Sequence, residues 1–149
     1  MDRWTRAAAA ACLAFGLTMP AHADFYLVVH PSNPQAKLSQ REALDLFMGR
    51  ARAFPNGDLA LIFDLPRDHP RRGAFYQALT GMPVAQVNSY WSRLMFSGQS
   101  MPPQALPDEA SMLDIVRRNP SALGWLGKEP SDPSVRIVLV VKEGKEPAP

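Results

Sequence analysis

The chain has 149 residues, 46% of them hydrophobic, and a formal net charge of +2 from 16 basic and 14 acidic side chains. This length favours a single domain with a hydrophobic core of its own. The near balance of charge excludes the strong basic excess that nucleic-acid binding requires.

The N-terminal residues have the features of a secretory signal peptide. Arg3 and Arg6 precede an apolar run over residues 7–18 that is too short to span a bilayer, and residues 21–23 form a small-x-small cleavage site. We therefore expect residues 1–23 to be removed after Ala23 and the product to be exported to the periplasm. Cleavage removes Cys12, so the exported chain has no cysteine for a disulfide or a thiolate metal site.

The first part of the remaining chain predicts a strand, a helix and a second strand. Residues 25–30 form a continuous apolar run typical of a strand buried on both faces. Ser39 and Glu42 have the spacing of a capping box, which predicts a helix over residues 40–48 that ends at Gly49. After a loop, residues 59–63 predict a second buried strand.

Two helices are predicted next. Pro70 suits the first turn of a helix that Asp68 or His69 would cap. Residues 84–97 have an apolar stripe at helical spacing. Their aromatic side chains are expected in the core rather than in a ligand site: Tyr90, Trp91 and Phe96.

The end of the chain predicts one capped helix and two strands. Asp108 caps the helix, Pro120 prevents its continuation, and strands are expected over residues 122–126 and 135–141. The complete order is β-α-β-α-α-α-β-β, which predicts an α/β domain over residues 24–141. We expect a mostly parallel or mixed sheet of about four strands with helices on its faces, followed by a disordered tail over residues 142–149. No later segment is long and apolar enough to span a membrane.

The segment between the second strand and the following helix is the first candidate for a binding site. It contains Arg67, Arg71 and Arg72. Ligands of open α/β sheets bind at such turns, and helix N-termini attract anions. The alternative is a solvated face, or a set of ion pairs with Asp64 and Asp68.

Catalytic and metal-binding patterns are not found in the exported chain. Its two histidines, His30 and His69, lack metal-ligand spacing, and no nucleophile elbow or phosphate-binding glycine loop is present. Asp64 and Asp68 are more often a strand-end hydrogen bond and a helix cap than an acid–base pair. We therefore predict no metal, no cofactor and no enzymatic activity.

Six short motifs, in this order and spacing, resemble the phosphate ABC-transporter substrate-binding protein family, in particular its small single-lobe relatives. The resemblance covers nearly the whole exported chain. The motifs are Val-Val-His-Pro-Ser-Asn-Pro (28–34), Leu-Ser-x-x-Glu-Ala-x-x-x-Phe-Met-Gly (38–49), Phe-Pro-Asn-Gly (54–57), Phe-Tyr-Gln-Ala-Leu-Thr-Gly (75–81), Tyr-Trp-Ser-Arg-Leu-Met-Phe-Ser-Gly (90–98) and Pro-Ser-Ala-Leu-Gly-Trp-Leu (120–126).

The resemblance implies a single lobe of a type 2 periplasmic-binding-protein-like fold that binds phosphate or another small anion. In the phosphate-binding relatives the turn reads roughly Arg-x-Asp-Gly-Ser-Gly-Thr. With the following helix Phe aligned on Phe75, these positions hold Leu65, His69, Pro70 and Arg71 in place of Arg, Ser, Gly and Thr. The relatives' phosphate contacts do not carry over, so an anion would be held by another geometry.

Two hypotheses follow from the resemblance. The first is an exported oxyanion-binding domain, whose candidate ligand-binding residues are Arg67, Arg71 and Arg72 together with Ser32 and Ser39 of the first two motifs. The second is a ligand-free interaction module that binds a membrane sensor or transporter. The second hypothesis predicts an exposed apolar patch near the carboxyl edge of the sheet.

Overall fold

A computed structural model of the protein describes residues 24–144. The predicted signal peptide and residues 145–149 of the predicted tail lie outside the described residues. Five strands are present: β1 (Asp24–Val29), β2 (Leu61–Asp64), β3 (Gln104–Ala105), β4 (Ala122–Leu126) and β5 (Arg136–Lys142). Four helices connect them: α1 (Gln40–Phe47), α2 (Arg72–Thr80), α3 (Val84–Phe96) and α4 (Glu109–Arg118).

The strands form one mixed sheet in the order β3-β2-β4-β1-β5. β2 is parallel to β3 and β4, whereas β1 is antiparallel to both β4 and β5. The carboxyl ends of β2, β3, β4 and β5 therefore share one edge of the sheet, which we call the carboxyl edge, and β1 ends at the opposite edge. The predicted α/β class with a mixed sheet is confirmed.

The sheet has five strands instead of about four. The additional strand, β3, lies in the proline-rich segment predicted to be a plain connection. It pairs with Phe63 and Asp64, and the Leu106 N–H donates to the Asp64 carbonyl at 2.8 Å. A strand of two exposed residues has no alternating pattern, so the sequence gives no signal for it.

β2 begins later than predicted, and its beginning is not buried. Leu59 bridges to Ala53 in an antiparallel pair, and the side chain of Leu59 is 60% exposed. Leu61 is also exposed. An apolar run shows that a strand is favoured but does not show which of its residues another element covers.

The predicted helix caps are present with one exception. The capping box of α1 is complete: the Ser39 hydroxyl accepts from the Glu42 N–H at 3.1 Å, and the Ser39 N–H donates to the Glu42 carboxylate at 3.4 Å. Asp108 accepts from the Ser111 N–H at 2.7 Å, and this hydrogen bond lowers the pKa of the Asp108 carboxyl. Neither Asp68 nor His69 occupies the N-cap position of α2, because the helix begins only at Arg72.

The core lies between the sheet and the helices around three stacked or edge-packed aromatic rings. Phe75 stacks on Trp125 with 4.3 Å between ring centroids, and Phe25 packs edge-on against both. All three side chains are fully buried. This cluster ties β1, β4 and α2 together.

Phe96 does not belong to the core, contrary to the prediction. Its side chain is 98% exposed, whereas Trp91 is buried. Five residues along an α-helix rotate the side chain by about 140° relative to the starting position, so Phe96 points away from the face that Trp91 buries. The stripe predicted for α3 therefore ends before its last turn.

Both bounds of the last strand differ by one residue from the predicted 135–141, because β5 runs from Arg136 to Lys142. β5 extends to Lys142, one residue into the predicted tail, and Glu143 lies 3.9 Å from Arg71.

Among residues 24–144, none of the helices has both the length and the hydropathy to cross a bilayer.

Candidate anion-binding site

The backbone N–H groups of the turn between β2 and α2 bond within the turn itself. The His69 N–H donates to the Pro66 carbonyl at 2.9 Å, and the Arg72 N–H donates to the His69 carbonyl at 3.1 Å. The Arg71 N–H donates to the His69 ring Nδ1 at 3.1 Å, and Pro70 has no N–H. These groups do not converge on one point, so the turn has no backbone cradle for an oxyanion.

Asp64, the last residue of β2, is the centre of a buried polar network. Its carboxylate is 3% exposed and accepts four hydrogen bonds. One oxygen accepts from the Leu65 N–H at 2.8 Å and the Trp125 indole N–H at 2.9 Å, and the other accepts from Arg72 Nε at 3.0 Å and the Tyr76 hydroxyl at 2.7 Å. A buried carboxylate is stable only with such partners, so Asp64 has a structural role.

Arg72 is part of the same network and is itself buried. Besides its ion pair with Asp64, its Nη1 donates to the Asn88 side-chain oxygen at 2.8 Å, and its guanidinium lies 4.8 Å from the centre of the Tyr76 ring. Burial raises the pKa of the Tyr76 hydroxyl well above its usual value, and the negative charge of Asp64 raises it further. The network therefore contains one full ion pair and a neutral phenol.

Arg71 faces the opposite side of the turn, where Glu143 lies within ion-pair distance and Glu109 lies nearby. Its Nη1 donates to the Gly127 carbonyl at 3.4 Å, and its Nη2 lies 3.9 Å from a Glu143 oxygen. The guanidinium also lies 4.6 Å from the centre of the Phe25 ring. Glu109 accepts from the Gly127 N–H, which places a second carboxylate beside the guanidinium. An anion would be repelled here.

Arg67 is the arginine of this turn that remains accessible. It is exposed and forms no ion pair with any residue between 24 and 144. Together with Arg72, Asn88 and Ser92 it lines a small cavity of about 160 Å³ between the turn and α3. We call this cavity the turn cleft. It lies at the carboxyl ends of β2 and β3, which is where open α/β sheets bind ligands.

The two candidate serines lie elsewhere in the molecule. The Ser32 hydroxyl is 2.7 Å from the His30 ring Nδ1, just beyond the end of β1 at the opposite edge of the sheet. Ser39 caps α1, and the adjacent Gln40 side chain donates to the Ala78 carbonyl in the last turns of α2. The structure thus brings Arg67 and Arg72 to one cleft but brings neither serine to it.

Sequence reasoning missed the contribution of α3 to the cleft. Asn88 and Ser92 lie one turn apart on α3, and Asn88 holds the Arg72 guanidinium. A signal was present, because Asn88 is a polar residue directly after Val87 of the apolar stripe and four residues after Val84. A polar residue inside such a stripe often has a buried polar partner.

The metal-ligating side chains of the described residues do not form a cluster. Within residues 24–144 no group of three or more metal-ligating side chains comes together. The Nδ1 atoms of both histidines accept local hydrogen bonds, His30 from the Ser32 N–H at 3.0 Å and His69 from the Arg71 N–H. These contacts give both rings a structural role in their turns.

Comparison with known proteins identifies the fold. No protein-family model matches the sequence, and no curated protein is similar enough in sequence to match it. Among solved structures, the chain superposes on a candidate phosphate ABC transporter substrate-binding protein with bound phosphate from Clostridium perfringens, with a TM-score of 0.62 and 17% sequence identity. It superposes also on an ABC-type phosphate transport receptor from Vibrio cholerae (TM-score 0.60, 15% identity) and on PstS from Borrelia burgdorferi (TM-score 0.57, 8% identity). The fold is that of one lobe of a periplasmic-binding-protein-like domain.

The lobe spans less than half the length of these proteins. Each superposition covers 78% of this chain but only 45%, 46% and 47% of the three solved chains, respectively. The resemblance inferred from the six motifs is therefore confirmed for the fold. Identities of 8–17% say nothing about individual ligand contacts.

Proposed function

We propose that the lobe is an exported, non-catalytic binding domain that holds a small oxyanion of the phosphate class in the turn cleft. Export is supported by the positive, apolar and small-residue segments of residues 1–23. Binding without catalysis is supported by the fold, since the similar solved chains are described as phosphate transport receptors or substrate-binding proteins.

The observation that carries the proposal is the unpaired Arg67 beside Arg72 at the carboxyl edge of the sheet. Arg67 supplies the net positive charge, because Asp64 already offsets the charge of Arg72. The cleft volume of about 160 Å³ is below the roughly 300–1,000 Å³ of drug-sized ligand sites, which favours a small ion. The Ser92 hydroxyl lies in the lining and adds a group that can donate to an oxyanion.

The same geometry predicts weak binding. The N–H groups of the turn are used within the turn, and Arg67 is exposed to water, where a single ion pair contributes about 0–1 kcal/mol. We expect a dissociation constant on the order of 1 mM, equivalent to about 4 kcal/mol, for phosphate. Affinity should fall as salt concentration rises.

Isothermal titration of the purified protein with phosphate and sulfate tests the anion site. Arg67→Gln should abolish the heat of binding, whereas Arg71→Gln should retain it, because Glu143 lies within ion-pair distance of Arg71 and Glu109 lies nearby. Both variants remove one positive charge from the same turn. The comparison therefore distinguishes binding in the turn cleft from non-specific attraction of the anion to positive charge. No heat at millimolar anion, or equal loss in both variants, would contradict the proposal.

Export has a separate test. The full chain, expressed in a Gram-negative host, should be recovered from the periplasm with Asp24 as its first residue. Sequencing the N-terminus of the recovered protein identifies the cleavage point. Recovery of the uncleaved chain from the cytoplasm would contradict the proposed export.

A second candidate function is a partner-binding module for a membrane sensor or transporter. It is favoured by apolar side chains that the described part of the lobe leaves exposed beside α3, including Phe96 and Met101. A photo-activated cross-linker at position 101 in living cells should give an adduct with an envelope protein. The absence of any adduct would count against this function.

A further inference from the structure

A groove on the flank of the lobe has the properties of a docking site for another protein. It has a volume of about 510 Å³ and lies between the residues leading into β2, the second half of α3 and the segment over residues 98–104. We call it the α3 groove. Its lining does not include the residues proposed to hold the anion in the turn cleft, although four residues line both cavities: Trp91, Met95, Pro102 and Pro103.

Exposed apolar side chains are concentrated at the α3 groove. Of the six large apolar side chains that are exposed within residues 24–144, four line it: Leu59, Leu61, Met95 and Met101. The fifth, Phe96, projects from another face of α3 and does not line the groove. Single exposed apolar residues are common on protein surfaces, but a contiguous set marks an interaction site. Met101 is 76% exposed, so its side chain covers little of the lobe's own core.

Trp91 lies in the wall of the groove with an unsatisfied hydrogen-bond donor. Its side chain is 4% exposed, and its indole N–H has no partner in the described part of the chain. The other described tryptophan, Trp125, donates to Asp64 at 2.9 Å. Buried indole N–H groups usually have an acceptor. This nitrogen is itself closed to solvent, so Trp91 contributes to the groove as a packed wall and not as a contact for a partner's carbonyl.

The benzene side of the Trp91 ring is fixed by a close backbone contact. A Cβ atom at Gly49 would lie 2.7 Å from the Trp91 Cη2 atom, so the ring packs directly on the Gly49 backbone. Gly49 has a φ of +71°, a conformation that glycine adopts without strain. The ring is thereby held in place, and a partner would meet a preformed surface.

The charge around the groove selects the partner. Arg52 is the charged residue in the lining of the α3 groove. It forms no ion pair within residues 24–144, and no carboxylate lines the groove. A partner that brings a carboxylate to this guanidinium would form charge-assisted hydrogen bonds. A basic partner would be repelled.

We infer that the α3 groove docks an apolar segment of a partner protein that carries acidic side chains at its flanks. Trp, Met and Arg, the residue types found here, are enriched at protein interfaces. The groove is open to solvent, so a peptide segment can lie in it. A small molecule bound there would keep much of its own surface exposed to water. Methionine side chains can adapt to the shape of such a segment.

The test uses three matched amphipathic peptides with the same apolar residues and with Glu, Gln or Lys at all other positions. Each is titrated into the ¹⁵N-labelled protein while the indole N–H signals of Trp91 and Trp125 are followed by NMR. The Glu peptide should shift the Trp91 signal and leave that of Trp125 in place. It should bind at least tenfold more tightly than the Lys peptide, and Arg52→Glu should reverse that order.

Two variants show whether an effect on peptide binding is specific to the α3 groove. Met101→Ser should weaken binding of the Glu peptide at least fivefold, whereas Val140→Ser, which alters an exposed apolar residue on β5, should leave it unchanged. The peptide titrations are run in a buffer without phosphate or sulfate, so failure of the anion proposal and failure of this one are distinguishable.

Three outcomes would overturn the inference. The first is a Trp91 signal that does not move with the Glu peptide, or that moves equally with all three. The second is octanoate binding as tightly as the peptide, which would indicate a small-molecule site. The third is a dimer in sedimentation velocity that Met101→Ser dissolves, which would make a second copy of the chain the occupant.

Discussion

The turn after β2 and the α3 groove are adjacent, yet the centre of the turn is a hydrogen-bonded polar network and the groove is largely apolar. In the turn, Asp64 accepts four hydrogen bonds and Arg72 is held on two sides. In the groove, apolar side chains meet water. Each region has one buried nitrogen without a hydrogen-bond partner among the described residues, Arg71 Nη2 in the turn and the Trp91 indole nitrogen in the groove. The Asp64–Arg72 network, and not the whole turn, is thus the self-contained part.

The difference teaches that charge density alone does not identify a binding site. A buried ion pair whose lone pairs are all used has little left to offer a ligand, and its main effect is to fix the local structure. Exposed arginines without partners, such as Arg67, Arg52 and Arg93, keep their capacity for an external anion. The predictions below test this comparison by substituting residues in both regions.

The largest effect is expected at the centre of the turn network. Asp64→Ala should lower the free energy of unfolding by about 3–5 kcal/mol, because it leaves the Arg72 charge buried without a counter-ion. It also removes the acceptor of the Tyr76 hydroxyl and the Trp125 indole. Urea denaturation of the purified variant measures the loss.

Asp68→Ala is the matched control, because Asp68 is exposed on the same turn. It should change the free energy of unfolding by less than about 0.5 kcal/mol. If Asp64→Ala and Asp68→Ala had similar effects, Asp64 would not be the centre of a structural network. The charged side chains of the turn would then be solvated individually and would not form a buried network.

The next effect concerns the contact that shapes the α3 groove. Gly49→Ala places a Cβ atom 2.7 Å from the Trp91 ring, in addition to the cost of about 1–2 kcal/mol for a left-handed residue. Gly98→Ala is the control, because Gly98 has nearly the same φ, +70°, and no heavy atom within 4 Å of its added Cβ. Urea denaturation should show a larger loss for Gly49→Ala. Equal losses would mean that Trp91 moves freely.

The sequence predicted the parts of the fold that depend on local chemistry. The capping box of Ser39 and Glu42, the Asp108 cap and the bounds of β4 follow from short-range hydrogen bonding and continuous apolar runs. It could not predict β3, whose two residues are fixed by pairing with β2. It also could not predict that Leu59 would be exposed, because this depends on which elements pack over β2.

The sequence predicted where the candidate site lies but not which residues form it. The turn after the second strand could be located from its apolar run and its arginines. Which arginine stays accessible depends on the tertiary partners Asp64, Asn88 and Glu143, two of which lie far away along the chain. These long-range contacts leave no short-range pattern, so three equivalent-looking arginines have three different environments.

A smaller effect is expected at alkaline pH from Tyr76. Because burial and the charge of Asp64 raise its pKa in the folded state, the unfolded chain loses this proton first, near pH 10. The stabilisation is fully present below about pH 10 and is lost as the pH rises towards the folded-state pKa. Urea denaturation between pH 9 and 11 should therefore show a steeper loss of stability in the wild type than in Tyr76→Phe. Parallel curves would contradict a raised pKa.

The smallest effect on stability is expected at Phe96, which follows the groove residue Met95 on α3. Phe96→Ser removes a ring that is 98% exposed, so the free energy of unfolding should change by less than about 0.5 kcal/mol. Phe75→Ala, which empties a fully buried position between Phe25 and Trp125, should cost about 3–5 kcal/mol. Thermal denaturation of both variants measures the contrast. A large loss in Phe96→Ser would show that the ring packs against the lobe, and the apolar surface beside α3 would then be smaller than the structure indicates.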